Sequence, residues 1–262
     1  MASLSYHSLQ LTNICNKRSQ RKNANDNVTT FIISCTMQQP SQNNIKVVIN
    51  GATKDIGRAA IVAVTKARGM ELAGAIDTRL VGEDAGVAAA FGLRSVVHVP
   101  KLQLDTVSAL SGFCEKASMG CLIAPTLSIG SVLLQQAAIS ASFHYNNVEI
   151  VESRADSKDL PSPEAIQIAD NLSNLGQLYN REDISTDAPA RGQILGEDGI
   201  RVHSLVLPGL PSNTTVNFSG PGEVYTLKHD ITNVQSLMPG LILAIRKVVR
   251  LKNLIYGLEK FL

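Results

Sequence analysis

The stretch that most restricts the fold is "IKVVINGATKDIGRAAIVAVTKARGMELAGAID", residues 45–77. Ile45 to Asn50 is an apolar, β-branched run, the composition of a buried strand. Ile56 to Lys66 has the alanine-rich spacing of a helix, and "MELAGAID" returns to strand and ends on Asp77. Strand, glycine turn, helix and strand make a βαβ unit, which closes as a right-handed crossover in a parallel sheet. The expected fold class is therefore α/β.

The turn "GATKDIG" places Gly51 and Gly57 at the outer positions of a dinucleotide fingerprint. Gly51 would make the tight turn, and Gly57 would let helix and strand pack closely. Lys54 stands where a middle glycine lets backbone approach a pyrophosphate, so the fingerprint is degenerate, although its ammonium could serve the phosphate instead. Asp55 and Ile56 complete the helix start that would face the phosphates. Asp77 is placed for the ribose hydroxyls and Arg79 for a 2′-phosphate, so NAD and NADP are both candidates. From this turn alone, nucleotide binding and a merely structural βαβ unit stand about equal.

Beyond it, "RSVVHVP" reads as strand, "LDTVSALSGFCEKAS" as helix, and "GCLIAP" as strand. "SIGSVLLQQAAISASF" is a helix that Ser128 can cap, and "NNVEIVES" is a strand. "PEAIQIADNLSNLGQLYN" has amphipathic helical spacing, and a polar loop follows to Gly192. "GIRVHSLVLPG", "TTVNFSG" and "EVYTLKHD" alternate as antiparallel strands do. "LMPGLILAIRKVVRLKNLIYGLEKFL" is expected to form one long helix or two.

Charge and composition narrow the function classes. Residues 1–44 hold four bases against one acid and are rich in Ser, Asn, Thr and Gln, as organelle transit peptides are. Serine outnumbers arginine there, which favours a plastid address; the alternative is a disordered tail without one. The remainder has 20 bases and 21 acids, no footprint for nucleic acid. No apolar run reaches the roughly 20 residues of a membrane span. Cys114 and Cys121 lack zinc or redox-motif spacing, and no metal site is expected. His203, Ser204, His229 and Asp230 sit on alternating strands without a nucleophile elbow, so core or inter-strand hydrogen bonding is expected of them, and His98 and His144 read as structural.

The blocks "VVINGATKDIGR", "AIDTRLVGEDAG", "APTLSIGSVLLQQAA", "ARGQILGEDGIRVHSLVLPGL", "GPGEVYTLKHD" and "MPGLILAIRKVVRLKNLIYGLEKFL" resemble dihydrodipicolinate reductase, in the form found in photosynthetic lineages. The resemblance runs from Ile45 to Leu262. It implies a Rossmann-type domain over residues 45–127, completed by residues 229–262 with the C-terminal helix returning to it. A central mixed-sheet α+β domain over residues 128–228 would bind substrate and form the homo-oligomer. It also implies that Ala124, Thr126 and Leu127 join the cofactor contacts. After "VGEDAG" the family continues through a further segment, whereas here Gly86 runs straight into Val87. The parallel sheet is expected to lack strands there, which puts nucleotide binding in doubt.

"VESRADSKDLPSPEA", Val151 to Ala165, aligns with the family's most telling motif: Glu, a small residue, two histidines, two variable residues, Lys, then Pro-Ser-Gly-Thr-Ala after a short spacer. Glu152, Lys158, Pro161, Ser162 and Ala165 match. Arg154 and Ala155 replace the histidine pair, Pro163 and Glu164 replace Gly-Thr, and one residue is missing after Lys158. In the family a histidine acts as acid, the lysine helps protonate substrate, and the Ser-Gly-Thr turn holds a substrate carboxylate. A guanidinium cannot be deprotonated and a methyl has no proton to give. Lys158 is thus a vestigial catalytic position, and Ser162, Pro163 and Glu164 form a substrate-like turn without its grip. No reduction of dihydrodipicolinate is expected. The reductase-like plastid branch of the family implies instead a stromal role in forming or stabilising the chloroplast NAD(P)H dehydrogenase-like complex, with its subunits or assembly factors as partners. The alternative is an active NAD(P)H-dependent oxidoreductase, of 4-hydroxy-tetrahydrodipicolinate reductase type or on an unknown substrate, using Lys158 and a re-formed pocket.

Overall fold

The computed structural model describes residues 44–76, 92–100, 102–181, 191–195 and 199–262. β1 (Ile45–Asn50), α1 (Asp55–Lys66) and β2 (Met70–Ile76) form the expected βαβ unit, with β1 and β2 parallel. β3 (Ser95–Val97), α2 (Leu104–Ala117) and β4 (Cys121–Ile123) follow. β4 is buried along its whole length, as a central parallel strand should be. Its second neighbour is β10 (Leu254–Tyr256), so β10, β4 and β3 make a three-stranded parallel sheet.

Among the described residues no ladder joins β1 to β3, and the parallel sheet is in two pieces. Val48 on β1, a core-type residue, is 58% exposed. One helix spans both pieces, α5 (Met238–Val248). Its Met238 and Ile245 pack with Ile49, Ala59, Ala60 and Val64, while Ala244 and Val248 pack with Leu122, Leu127 and Val132. Gly240 lets it seat: a Cβ there would lie 1.9 Å from the Leu127 carbonyl oxygen.

The C-terminal stretch is not one or two α-helices. It is α5, then β10, then a 3-10 turn over Leu258–Phe261. Leu251, Leu254, Ile255 and Leu258 keep helical spacing, but pairing with β4 takes Leu254–Tyr256 into the sheet. Non-local strand pairing overrides the local period.

The second half is a five-stranded sheet in the order β6-β7-β5-β8-β9, from β5 (Asn147–Arg154), β6 (Gln193–Leu195), β7 (Ile200–Val206), β8 (Ser212–Gly220) and β9 (Glu223–Ile231). β8 and β9 are antiparallel as expected, and β7 is antiparallel to β6 on one side but parallel to β5 on the other. Alternation marks a strand without fixing its direction, which the ladder registers set. One face packs Val148, Ile150, Val202, Val216 and Phe218 against Leu134 and Ala138 of α3 (Ile129–Ser142) and Ala165, Ile168 and Leu172 of α4 (Pro163–Ser173). At roughly 1.5–3 kcal/mol for each large apolar side chain buried, this layer rigidly fixes the strand ends that follow. Ser128 caps α3 as expected, its hydroxyl accepting from the Ser131 amide at 3.2 Å. α4 ends at Ser173, short of the helix expected to run to Asn180.

Candidate functional site

Two groups of sequence-predicted residues are placed by this fold, and they are unlike. The first is the glycine turn. Gly51 takes φ +78°, and a Cβ on Gly57 would lie 2.1 Å from the Gly51 carbonyl oxygen, so both glycines are required for α1 to sit on its turn. That backbone fits a pyrophosphate. The residues at its mouth fit less well: Lys54 is the N-cap without a side-chain cap bond, and Asp55 puts a carboxylate in the first helical turn where a phosphate would come. Ile56 is partly exposed beside them. Ala124 and Leu127 are buried, Thr126 takes the Ser128 amide at 3.2 Å on its hydroxyl, and His98 Nδ1 lies 2.9 Å from the Ala124 carbonyl oxygen. Asp77, Arg79 and the junction at Gly86 lie outside the described residues.

The second group is the loop after β5. Val148 and Ile150 point into the core, and the period of two carries Glu152 and Arg154 onto the same inner face. The ladder completes a polar row: Ser204 and Thr214 are the partners of Glu152 on β7 and β8, and His229 is the partner of Thr214 on β9. α4 brings Ser162 and Glu164 to this row, and the start of α3 brings Gly130 and Ser131.

Arg154 is consumed by its own chain. One terminal nitrogen donates to the Ser153 and Asn213 carbonyl oxygens. The other reaches the Ser162 hydroxyl at 2.6 Å, Glu152 Oε2 at 3.1 Å and the Thr214 hydroxyl at 3.2 Å. Glu152 is fully buried and also accepts from the Ser162 amide at 3.0 Å and the Ser204 hydroxyl at 2.7 Å. Ser162 caps α4, accepting the Ala165 amide at 3.2 Å. Pro163, the first helical residue, has no N–H to offer. Glu164 Oε2 accepts from the Thr214 hydroxyl at 3.1 Å. Its Oε1 is buried with no hydrogen-bond partner among the described residues, and His229 Nδ1 stands 3.8 Å away. Burial pushes the Glu164 carboxyl up, but His229, Ser131 and Thr214 outweigh it and hold the group below its ordinary range; at 3.8 Å His229 acts through its field rather than a bond.

This arrangement can hold charge but is ill suited to passing protons. Arg154 and Ala155 supply no titrating group at the loop, and the Lys158 ammonium is exposed and takes no part in the cluster. His229 is enclosed: a Cβ on Gly130 would lie 2.4 Å from its Nε2, and Ser131 Oγ is 3.4 Å from its Nδ1. Ser131, His229 and Glu164 do not make a nucleophile triad, because hydroxyl and carboxylate face the same ring nitrogen. A cleft of 260 Å³ opens beside Glu152, lined by Leu160, Pro161, Gly192, Gln193, Val202 and Ser204. That is below the roughly 300–1,000 Å³ of small-molecule pockets. Among the described residues no group of three His, Cys, Asp or Glu is placed to hold a metal, and no helix is long and apolar enough to cross a membrane.

Three of the four strand residues are inter-strand partners: His203 Nε2 meets Glu149 Oε2 at 2.9 Å, the Ser204 hydroxyl donates to Glu152 at 2.7 Å and Asp230 accepts from Asn213 at 2.6 Å, whereas His229 meets Ser131 of α3 instead of a strand neighbour. Thr214, Ser131 and Gly130 were missed as members of the cluster, since only the cross-strand register and the packing of α3 bring them to it.

Known proteins place this geometry. The family model described as dihydrodipicolinate reductase, C-terminus, matches residues 130–262. The chain is 63% identical over 276 positions, covering 87% of it and 93% of the relative, to the dihydrodipicolinate reductase-like protein CRR1, chloroplastic, of Arabidopsis thaliana. It is 39% identical over 277 positions, covering 85% of it and 99% of the relative, to 4-hydroxy-tetrahydrodipicolinate reductase of Mastigocladus laminosus. Since 87% of 262 residues is about 228, the 276-position alignment runs through about 48 positions with no counterpart in this chain. Among solved structures, dipicolinate-bound dihydrodipicolinate reductase from Paenisporosarcina sp. TG-14 superposes with a TM-score of 0.74 at 26% identity, covering 84% of this chain and all of that one. With the Rossmann-type turn, the mixed five-stranded sheet and matches over most of its length, the chain belongs to the dihydrodipicolinate reductase family.

Proposed function

We propose that this chain is a reductase-like protein of the chloroplast stroma that does not reduce dihydrodipicolinate and instead serves formation or stability of the chloroplast NAD(P)H dehydrogenase-like complex. The observation that carries the first half is Arg154: at the position of the family's proton donor stands a guanidinium whose terminal nitrogens are spent on five acceptors of its own chain. An arginine held that way neither transfers a proton nor grips an incoming anion. The similarity to a chloroplastic reductase-like relative supports the compartment and the branch.

In this reading Lys158 is vestigial, Arg154 and Ala155 close the acid position, and Ser162, Pro163 and Glu164 have become a helix cap. A nicotinamide dinucleotide, NAD or NADP, would lie over Gly51, Lys54, Asp55, Ile56 and Gly57, with Ala124, Thr126 and Leu127 as the second wall and Asp77 and Arg79 at the ribose. When bound it would supply a hydride donor. Residues 45–127 with 229–262 would form the nucleotide domain, residues 128–228 the central domain and homo-oligomer contact, and residues 1–44 the plastid address. The partners would be subunits or assembly factors of the complex.

The test is restoration. Chloroplasts lacking the endogenous relative are supplied with the full chain, and the complex is followed on native gels. Recovery of the complex is expected, also with Lys158→Ala. Soluble accumulation of the chain without recovery would overturn the assembly role. The second reading, an active NAD(P)H-dependent oxidoreductase, rests on the glycine turn; calorimetry that finds neither NADH nor NADPH bound removes its premise.

A further inference from the structure

We propose that Glu164 is a built-in occupant of a carboxylate seat, an autoinhibitory contact that keeps external carboxylates out of the loop. The inference deepens the non-reductase reading and rests on it. It assigns a second cause to the loss, separate from the missing proton donor.

The groups that converge on this carboxylate come from four elements. Thr214 on β8 gives its hydroxyl to Oε2 at 3.1 Å. Arg154 on β5 points a terminal nitrogen at the same oxygen from 3.9 Å. His229 on β9 faces Oε1 from 3.8 Å, and Ser131 on α3 holds that imidazole at 3.4 Å. A glutamate in the first turn of a helix is favourable wherever it points, through the helix dipole alone. This one instead turns inward, its side chain 18% exposed and Oε1 fully covered. Such burial of a charge is costly unless the surroundings were already arranged for an anion.

Charge decides how many carboxylates the seat admits. Arg154 is the cluster's one permanent cation, and at 3.1 Å it is committed to Glu152. Glu164, at 3.9 Å, is the second anion and leans on the dipoles of Thr214 and His229. A third carboxylate from solution would meet two like charges. While Glu164 is in place the seat is closed to it.

Glu164→Gly deletes a fragment with the atoms of propionate, so propionate is the matched probe. The full-length variant is followed by thermal unfolding in sodium propionate and in sodium chloride of equal concentration. Propionate is expected to raise the melting temperature of Glu164→Gly above its chloride value by about 3–5 °C, the shift that a small ligand near ten times its dissociation constant gives a chain of this size. Wild type and Glu164→Gln, whose seats stay filled, are expected to show no difference between the two salts. A folded Glu164→Gly that responds as wild type does overturns the seat. If glycine at this helix start prevents folding, Glu164→Ala with acetate asks the same question with the same two outcomes. Reductase turnover by the wild-type chain would instead overturn the reading underneath, so the two failures are told apart.

Discussion

Replacing Arg154 by alanine should be the most damaging single change in the loop. The side chain is 14% exposed and its partner Glu152 is fully buried, so the substitution leaves a carboxylate in the interior without its counter-charge. Breaking a buried pair in this way costs about 3–5 kcal/mol. Glu152 keeps the Ser162 amide at 3.0 Å and the Ser204 hydroxyl at 2.7 Å, which places the expected loss at the lower end, near 3 kcal/mol. For a chain of this size that is a fall in melting temperature of about 6–12 °C. Urea unfolding followed by circular dichroism reads it as a lower midpoint at unchanged slope. Arg154→Met combined with Glu152→Gln removes both charges and should recover part of the loss, because the fully buried Glu152 position then carries no charge and only the partly exposed Glu164 is left without its cation. A cost for Arg154→Ala below about 0.5 kcal/mol, the level of an ordinary surface change, would refute the network. So would a double variant no more stable than Arg154→Met alone.

Three further outcomes follow from other contacts. Glu164 is held below its ordinary value of 4.5, so it contributes stability that is complete above that value and lost as pH falls through the lower folded one; a urea midpoint series from pH 7 to 3 should steepen at its acid end in wild type and flatten there in Glu164→Gln, and equal slopes would contradict the assignment. Gly240→Ala would set a Cβ 1.9 Å from the Leu127 carbonyl oxygen and should cost about 2–3 kcal/mol by pushing α5 off both parallel sheets, whereas wild-type stability would show that the helix is not seated there. Burial pushes the Cys121 thiol up to about 11, so iodoacetamide at pH 8 should leave Cys121 unmodified in the folded chain and label it in urea, as read by peptide mass; equal labelling in both would refute its burial.

The parts of the fold that were legible in the sequence are those whose signal is local. The βαβ unit of residues 45–77 declares itself through a buried strand, a glycine turn and an alanine-rich helix within a short span. β10 did not, because Leu254 and Ile255 satisfy helical spacing with Leu251 and Leu258, and their true partner β4 is far away in sequence. The direction of β7 was hidden for the same reason. In the loop, the alternation of "NVEIVESR" already places Val148, Ile150, Glu152 and Arg154 on one face, so an inward ion pair could have been read from it. The rest of the cluster could not. Thr214 and His229 join through ladder registers, and Gly130 through the packing of α3, none of which has a local trace. The loss of the histidines is visible in the motif itself, whereas the full engagement of Arg154 depends on partners as far away as Asn213 and Thr214.

The most direct test of the central claim is dihydrodipicolinate-dependent oxidation of NADPH by the purified full-length chain. With Arg154 locked onto Glu152, Ser162 and Thr214, the rate should equal that of the no-enzyme control. Turnover above that control, abolished by Lys158→Ala, would show that the loop still performs the family's reaction and would contradict the account.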